Sequence, residues 1–160
     1  MKERVFVIVS FMSQFEQSGK DLFYSEEELI ESLLDQNFSE KEIQDTYDWI
    51  AKVTLFDKLQ LAGEISEKSS PRVFDPEETF RFSSKARGFL WKLRAAGIID
   101  EVQQEEVITK LLALDVDEIN EDDVSHVAAL TLFPKMSNLL IHNKQHKITT
   151  EPQDPLDSLH

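Results

Sequence analysis

Residues 81–114 read RFSSKARGFLWKLRAAGIIDEVQQEEVITKLLAL, and their apolar pattern predicts two helices joined by a tight turn. On a 3.6-residue period, the first half places apolar side chains on one face that must be buried. These side chains are Phe82, Ala86, Phe89, Leu90, Leu93 and Ala96. Gly97 suits the left-handed position after a helix, where a Cβ atom is penalised. Asp100 is predicted to start the second helix, whose apolar stripe runs from Val102 to Leu114.

Residues 25–53 repeat this pattern and predict a second helical hairpin. Two capping boxes, in which side-chain and backbone groups satisfy each other at a helix start, are predicted from their spacing. Their members are Ser25 with Glu28 and Ser39 with Glu42. Asn37 takes the position of Gly97, because Asn is the next-best residue for a left-handed helix end. The sequence therefore predicts an all-α fold, a single compact helical domain built around two αα-hairpins.

The rest of the chain is predicted to complete one helical domain over residues 1–142. Residues 3–17 fit both a helical face and a strand-like alternation, but the helical pattern explains more of the segment. A last helix is expected to begin at Asn120 and to end at Pro134, because proline lacks a backbone N–H. Residues 143–160 are polar and contain two prolines, which predicts a disordered tail.

Residues 54–74 separate the two hairpin halves. They have no sustained period and they contain glycine, serine and proline, so we predict a linker-like loop. Residues 72–74 are expected to form a short extended segment at its end. Asp75 followed by Pro76 then predicts the start of a short helix, because aspartate caps helices and proline suits their first position.

The charge and the composition exclude several functions. The chain has 31 acidic and 17 basic residues, a formal net charge of −14. A field of this sign opposes binding to nucleic acids and anionic membranes, and it attracts basic partners. The absence of cysteine excludes disulfides, thiol catalysis and cysteine-ligated metals. The longest apolar run, Val5 to Val9, is far shorter than a membrane span and has no cleavage signature, so we expect a cytoplasmic protein.

No arrangement in the sequence is typical of an active site, and we predict no catalytic residues, no metal and no cofactor. Some adjacent carboxylates point to different helix faces, which does not suit shared acid–base chemistry. They are Glu105, Glu106, Asp122 and Asp123. His142 and His146 have the i, i+4 spacing of zinc ligands but lack a nearby cysteine or acid. His126 is expected to be a partly buried histidine that makes a hydrogen bond.

The polar side of the first helix in residues 81–114 carries cations on an otherwise acidic chain. Arg81, Lys85 and Lys92 lie on one flank of the apolar stripe, Arg87 and Arg94 on the other, and Gly88, Trp91 and Ala95 between them. We define the basic ridge as Lys85, Arg87, Trp91, Lys92 and Arg94. We predict that it binds a partner, because tryptophan and arginine are favoured anchors in interfaces. In the alternative interpretation, Trp91 packs under another helix and the cations form a solvated rim.

The basic ridge predicts a non-enzymatic interaction or regulatory protein, whose protein partner the sequence does not identify. The alternative is a nucleic-acid-associated factor that binds phosphates through the basic helix 81–94, which the net charge disfavours. A third hypothesis is an enzyme that uses carboxylates of residues 54–80. That hypothesis requires a concave pocket with perturbed acids.

Several of these segments resemble, in order and spacing, the bacterial Smg protein family. The resemblance is carried by Arg87-Gly88-Phe89-Leu90 and the later VITKLLALD, by Arg72-Val73-Phe74 with Glu78, by NFSEKEIQDTYDWI and by ALTLF, which together cover residues 4–133. The resemblance implies a small, mostly helical, cytoplasmic bacterial protein whose biochemical activity is unassigned. This chain departs from the family pattern at Ser125-His126, where a Lys-Trp pair is usual.

Overall fold

The structure, a computed structural model, describes residues 2–62 and 72–150. These residues form eight α-helices, one π-helical segment and no β-strand, which confirms the all-α prediction. The elements are α1 (Lys2–Gln17), α2 (Glu26–Asp35), α3 (Glu40–Ala51), the π-helical segment (Lys52–Phe56), α4 (Asp57–Ala62), α5 (Pro76–Arg81), α6 (Ser84–Ala95), α7 (Glu101–Leu112) and α8 (Glu121–Thr150). Residues 72–74, expected to be extended, have no regular secondary structure.

The helix α1 places one apolar face in the core, so the helical interpretation of residues 3–17 is confirmed. The buried side chains of this face are Val5, Ile8, Val9, Met12 and Phe15. The helix packs against α3 and α8. It ends shortly before Gly19, whose φ of +96° is a left-handed conformation that favours glycine.

Both predicted hairpins are present, and each has a left-handed residue after its first helix. Asn37 has a φ of +69° between α2 and α3, and Gly97 has a φ of +76° between α6 and α7. The capping box of Ser39 with Glu42 is formed. The capping box predicted at Ser25 is wrong, because its backbone (φ −106°, ψ 23°) lacks the extended conformation of a cap and its side chain makes no cap hydrogen bond.

The inward face of α7 differs from the predicted stripe at its first turn. Val107, Ile108 and Leu111 are buried as predicted, but Val102 is 76% exposed. Gln104 lies three residues before Val107 and is itself buried, so it occupies the inward position on the first turn. Because this inward residue is polar, the apolar spacing of the sequence does not identify the buried face of the first turn of α7.

The helix α8 continues through Pro134, so the prediction that this proline ends the helix is wrong. Proline removes the hydrogen bond to the carbonyl of Leu130, and burial of neighbours such as Phe133 holds the helix together across this gap. Residues 143–150, which the sequence assigns to a disordered tail, form the last turns of α8, and 151–160 lie outside the described residues. No helix in the described chain, α8 included, is both long and apolar enough to cross a membrane.

The predicted loop 54–74 is helical in its first part, because the helical path of α3 continues to Ala62 through the π-helical segment. Thr54 is buried, and its hydroxyl donates to the carbonyl of the residue four positions earlier at 2.6 Å. Leu55 is fully buried in the core. These two contacts explain why the segment is ordered without a regular apolar period. Residues 63–71 of the predicted loop lie outside the described residues.

Candidate functional site

The helix α6 carries the basic ridge on its outer face, because its inner face is fixed in the core. The Ser83 hydroxyl caps this helix by accepting from the Ala86 N–H at 3.0 Å. Ala86, Leu90 and Leu93 are fully buried, and α6 packs against α8. The orientation of the outward side chains follows from this packing.

The four cations of the basic ridge have no acidic partner among the described residues. Lys85 and Lys92 are exposed, whereas Arg87 and Arg94 are half-buried. Several other cations do lie within 4.0 Å of a carboxylate, namely Arg4, Lys20, Lys41, Lys52, Arg72 and Lys110. Within the described residues, the cations of the basic ridge therefore differ from these six in having no paired carboxylate, on a chain of net charge −14.

Arg81, which the sequence places on a flank of the same helix, belongs to α5 and has a structural role. Its guanidinium donates to the carbonyls of Leu112, Leu114 and Val116 at 3.5, 3.1 and 3.3 Å. These acceptors lie at and after the end of α7, where carbonyls lack helical partners and the helix dipole favours a cation. Arg81 therefore caps α7 and is not available to a partner.

Trp91 lines a hollow of about 260 Å³ between α6, α7 and the segment that precedes α5. The lining residues are Arg72, Phe74, Arg87, Gly88, Trp91 and Gln104. Trp91 is half-buried, so its side chain is neither fully exposed to a partner nor fully covered by another helix. Its Nε1 is out of contact with water and has no acceptor in the described chain. Ala95 is buried, so of the three residues predicted between the two cationic flanks only Gly88 and Trp91 reach the surface.

Arg72 fixes one wall of this hollow through two ion pairs. Its Nη1 donates to Glu78 Oε1 at 2.8 Å, and its Nε donates to Glu105 Oε2 at 2.6 Å. Its guanidinium also lies 5.0 Å from the centroid of the Phe74 ring. The hydrogen bonds that Arg72 donates to Glu78 and Glu105 raise the pKa of Arg72, and they in turn lower the pKa of Glu78. Local sequence patterns do not reveal this wall, because Arg72 and Glu105 are 33 positions apart.

Gly88 keeps the hollow open toward solvent. It is exposed in the middle of α6, and a Cβ atom built on it would meet nothing within 4 Å. A glycine in a helix interior costs about 0.5–1 kcal/mol relative to alanine. No contact of the described residues therefore requires glycine at this position.

Two strongly exposed valines lie close in sequence to the residues of the Arg72 wall. Val73 is 89% exposed and directly follows Arg72 in the chain. Val102 lies one turn before Glu105 on α7, so both side chains extend from the same face of that helix. Both valines offer apolar surface that a protein partner would remove from water.

His126 lies between a carboxylate and an aromatic ring. His126 Nε2 lies 2.8 Å from Glu26 Oε2, and its ring packs edge-on against Tyr47, which confirms the predicted hydrogen-bonded, partly buried histidine. Burial raises the pKa of Tyr47. Among the residues that the structure describes, no group of three or more His, Cys, Asp or Glu is placed to hold a metal. The side chains of His142 and His146 lie outside this description.

The described carboxylates of residues 54–80 that make specific contacts have structural roles. Asp57 pairs with Lys52 at 3.1 Å. Asp75 caps α5 by accepting from the Glu78 N–H at 2.8 Å, while the Glu78 carboxylate binds Arg72. The lowered pKa of Glu78 follows from this ion pair and keeps the group ionised, which does not suit a general acid.

The fold and its surface define an all-α protein of helical hairpins that displays a basic, tryptophan-bearing ridge. The family model described as "Protein of unknown function (DUF494)" matches residues 5–154, and the chain belongs to this family. No solved structure matches the chain significantly.

Curated relatives carry the name "Protein Smg homolog", which confirms the resemblance predicted from the sequence. The relative from Alkalilimnicola ehrlichii is 28% identical over 158 residues, which cover 92% of this chain and 99% of the relative. The relative from Halorhodospira halophila is 32% identical over 139 residues, covering 83% and 84%. The relative from Aeromonas hydrophila is 29% identical over 129 residues, covering 79% and 82%.

Proposed function

We propose that this protein is a non-enzymatic, cytoplasmic interaction or regulatory protein that binds another protein through the basic ridge. The observation that carries this proposal is the set of four cations on α6 without acidic partners in the described chain, one of which, Arg87, lines a hollow together with Trp91. Tryptophan and arginine are the residues that most often contribute large binding energies at protein interfaces.

The net charge and the exposed apolar surface of the chain favour a protein partner over a nucleic acid. The net charge of −14 repels a polyanion at long range, and Val73 and Val102 offer apolar surface with no counterpart in a phosphate backbone. A gel-shift assay with single- and double-stranded oligonucleotides is expected to show no retention at low salt. Retention that falls steeply between low and moderate salt would favour a nucleic acid instead.

Photo-crosslinking in the bacterium that encodes the protein tests the proposal. We expect a crosslinking amino acid at Lys92 to give protein adducts that the same amino acid at Lys41 does not give. Lys41 is a matched control, because it is an exposed lysine on α3. The adducts should disappear in the double variant Arg87→Glu/Trp91→Ala. Identical adducts at both positions, or adducts unaffected by the double variant, would overturn the proposal.

A further inference from the structure

We infer that the partner presents an acidic segment with one apolar side chain, and that this side chain enters the hollow beside Gly88 while carboxylates pair with the cations of the basic ridge. This inference rests on the proposed function and names the chemistry of the partner. It follows from the size, the lining and the charge of the hollow.

The size of the hollow suits one side chain of a partner. Its volume of about 260 Å³ is below the range of roughly 300–1,000 Å³ in which small-molecule sites fall. It is also open on the outer face of α6, where Gly88 has no side chain. A protein segment that lies along this helix could therefore insert one residue without displacing the fold.

The lining of the hollow is largely apolar. Phe74 and Trp91 contribute aromatic rings, and Arg72 and Arg87 contribute the aliphatic stems that long cationic side chains present to apolar surfaces. The guanidinium of Arg72 is already paired with Glu78 and Glu105, so Arg72 shapes the hollow and does not bind a carboxylate of the partner. The part of the partner that enters should therefore be apolar.

The cations of α6 favour acidic neighbours for that apolar residue. Arg87 reaches into the lining, and Lys85, Lys92 and Arg94 lie along the same helix without carboxylate partners in the described chain. Arginine prefers carboxylates and phosphates that accept two hydrogen bonds at once. A segment with aspartate or glutamate on both sides of the apolar residue would pair with cations on both flanks of α6.

Gly88 gives an independent reason to expect close approach at this point. The described fold has space for a Cβ atom there, yet the helix tolerates the destabilising glycine. Close approach of another backbone is one of the uses that glycine serves in proteins. Leucine at this position should fill the hollow from its own side and exclude the partner.

The Trp49→Phe variant of the full chain allows a direct test, because it leaves Trp91 as the sole indole. The probe is a short synthetic peptide with glutamates on both sides of one phenylalanine. We expect a saturable change in Trp91 fluorescence that weakens about tenfold or more when lysines replace the glutamates or alanine replaces the phenylalanine. Gly88→Leu, shown by circular dichroism to be folded, should abolish the change.

Three outcomes of the fluorescence experiment would overturn the inference. The first is equal binding of the acidic and basic peptides, the second is tighter binding of an oligonucleotide than of the acidic peptide, and the third is undiminished binding to folded Gly88→Leu. Sequencing the peptide crosslinked at Lys92 in cells separates the two proposals. A basic crosslinked segment overturns the acidic partner but keeps a protein partner, whereas absence of any adduct specific to Lys92 overturns the proposed function itself.

Discussion

The Nε of Arg72 lies 2.6 Å from Glu105 Oε2, and this contact ties the segment before α5 to the first half of α7. The same guanidinium binds Glu78 at the start of α5, so one side chain joins three parts of the chain. The Arg72 side chain is only 22% exposed, which protects these hydrogen bonds from competition by water. The hollow beside Trp91 depends on this arrangement for one of its walls.

We expect Arg72→Met to lower the free energy of unfolding by about 1–3 kcal/mol, since hydrogen bonds to charged groups contribute this much. Methionine retains most of the apolar stem, so the loss reports the charged contacts. Urea denaturation followed by circular dichroism measures the change. The effect of Glu105→Gln should be smaller, because the Glu105 side chain is 52% exposed.

Lys41→Met provides the control for Arg72→Met. Lys41 pairs with Asp45 one turn away, but its side chain is 85% exposed. Exposed pairs of this type contribute about 0–1 kcal/mol. If Arg72→Met were as mild as Lys41→Met, Arg72 would not hold the wall of the hollow.

Glu42 predicts an acid-dependent loss of stability. Hydrogen bonds from Arg4 and from the Ser39 backbone N–H lower the pKa of Glu42 from 4.5 to about 2. Because the pKa is lower in the folded state than in the unfolded state, the stabilisation is fully present above the unfolded value. It should disappear as the pH falls from about 4 through 2.

Titration by NMR measures the lowered pKa of the Glu42 carboxyl, and urea denaturation at several pH values measures its contribution to the free energy of unfolding. Wild type and Glu42→Gln are expected to differ at neutral pH and to converge in acid. A constant difference between the two proteins across this pH range would contradict the assignment. Glu3→Gln, which changes a carboxylate of α1, serves as the control.

The elements that the sequence predicts well are those that short-range rules determine. The apolar spacing of α1 selects its buried face, from Val5 to Phe15, without any knowledge of the rest of the fold. The left-handed residues Asn37 and Gly97 likewise follow from the intrinsic preferences of Asn and Gly. In these cases the local preference and the tertiary packing agree, so the structure of these elements can be predicted from a single sequence.

The features that the sequence does not predict depend on distant partners. Thr54 and Leu55 are ordered by contacts in the core and not by their own period. The helix at Pro134 persists because burial around it outweighs a local helix-breaking preference. The candidate site follows the same rule. The sequence of α6 shows which cations the site contains, but it does not predict the hollow, which Arg72 completes from outside the hairpin.

Lys110 is a buried cation with two carboxylate partners. It is only 4% exposed, lies 2.9 Å from Glu106 and 3.4 Å from Asp21, and thereby links α7 to the segment between α1 and α2. Partial burial opposes ionisation of Asp21, but backbone N–H groups and Lys110 outweigh it and lower its pKa. The double variant Asp21→Asn/Glu106→Gln leaves the ammonium without a carboxylate and should cost about 3–5 kcal/mol.

Removing the cation instead of its carboxylate partners should destabilise the fold much less. Lys110→Met removes the buried charge and keeps similar volume, while Asp21 and Glu106 are exposed enough to be solvated. We expect it to change the free energy of unfolding by less than about 1.5 kcal/mol. Thermal and urea denaturation of both variants would test this order, and a Lys110→Met effect as large as that of the double variant would contradict it.

Gly88 and Gly97 predict opposite effects of the same substitution in one helix and its turn. Gly88→Ala should raise the free energy of unfolding by about 0.5–1 kcal/mol, because the helix gains a better helix former and the Cβ atom meets nothing. Gly97→Ala should lower it by about 1 kcal/mol or more, because its φ of +76° is strained for a residue with a Cβ atom. Urea denaturation of the two variants beside wild type measures both changes. A destabilising Gly88→Ala would mean that the fold itself requires this glycine, and Gly88 would then give no reason to expect a closely approaching partner.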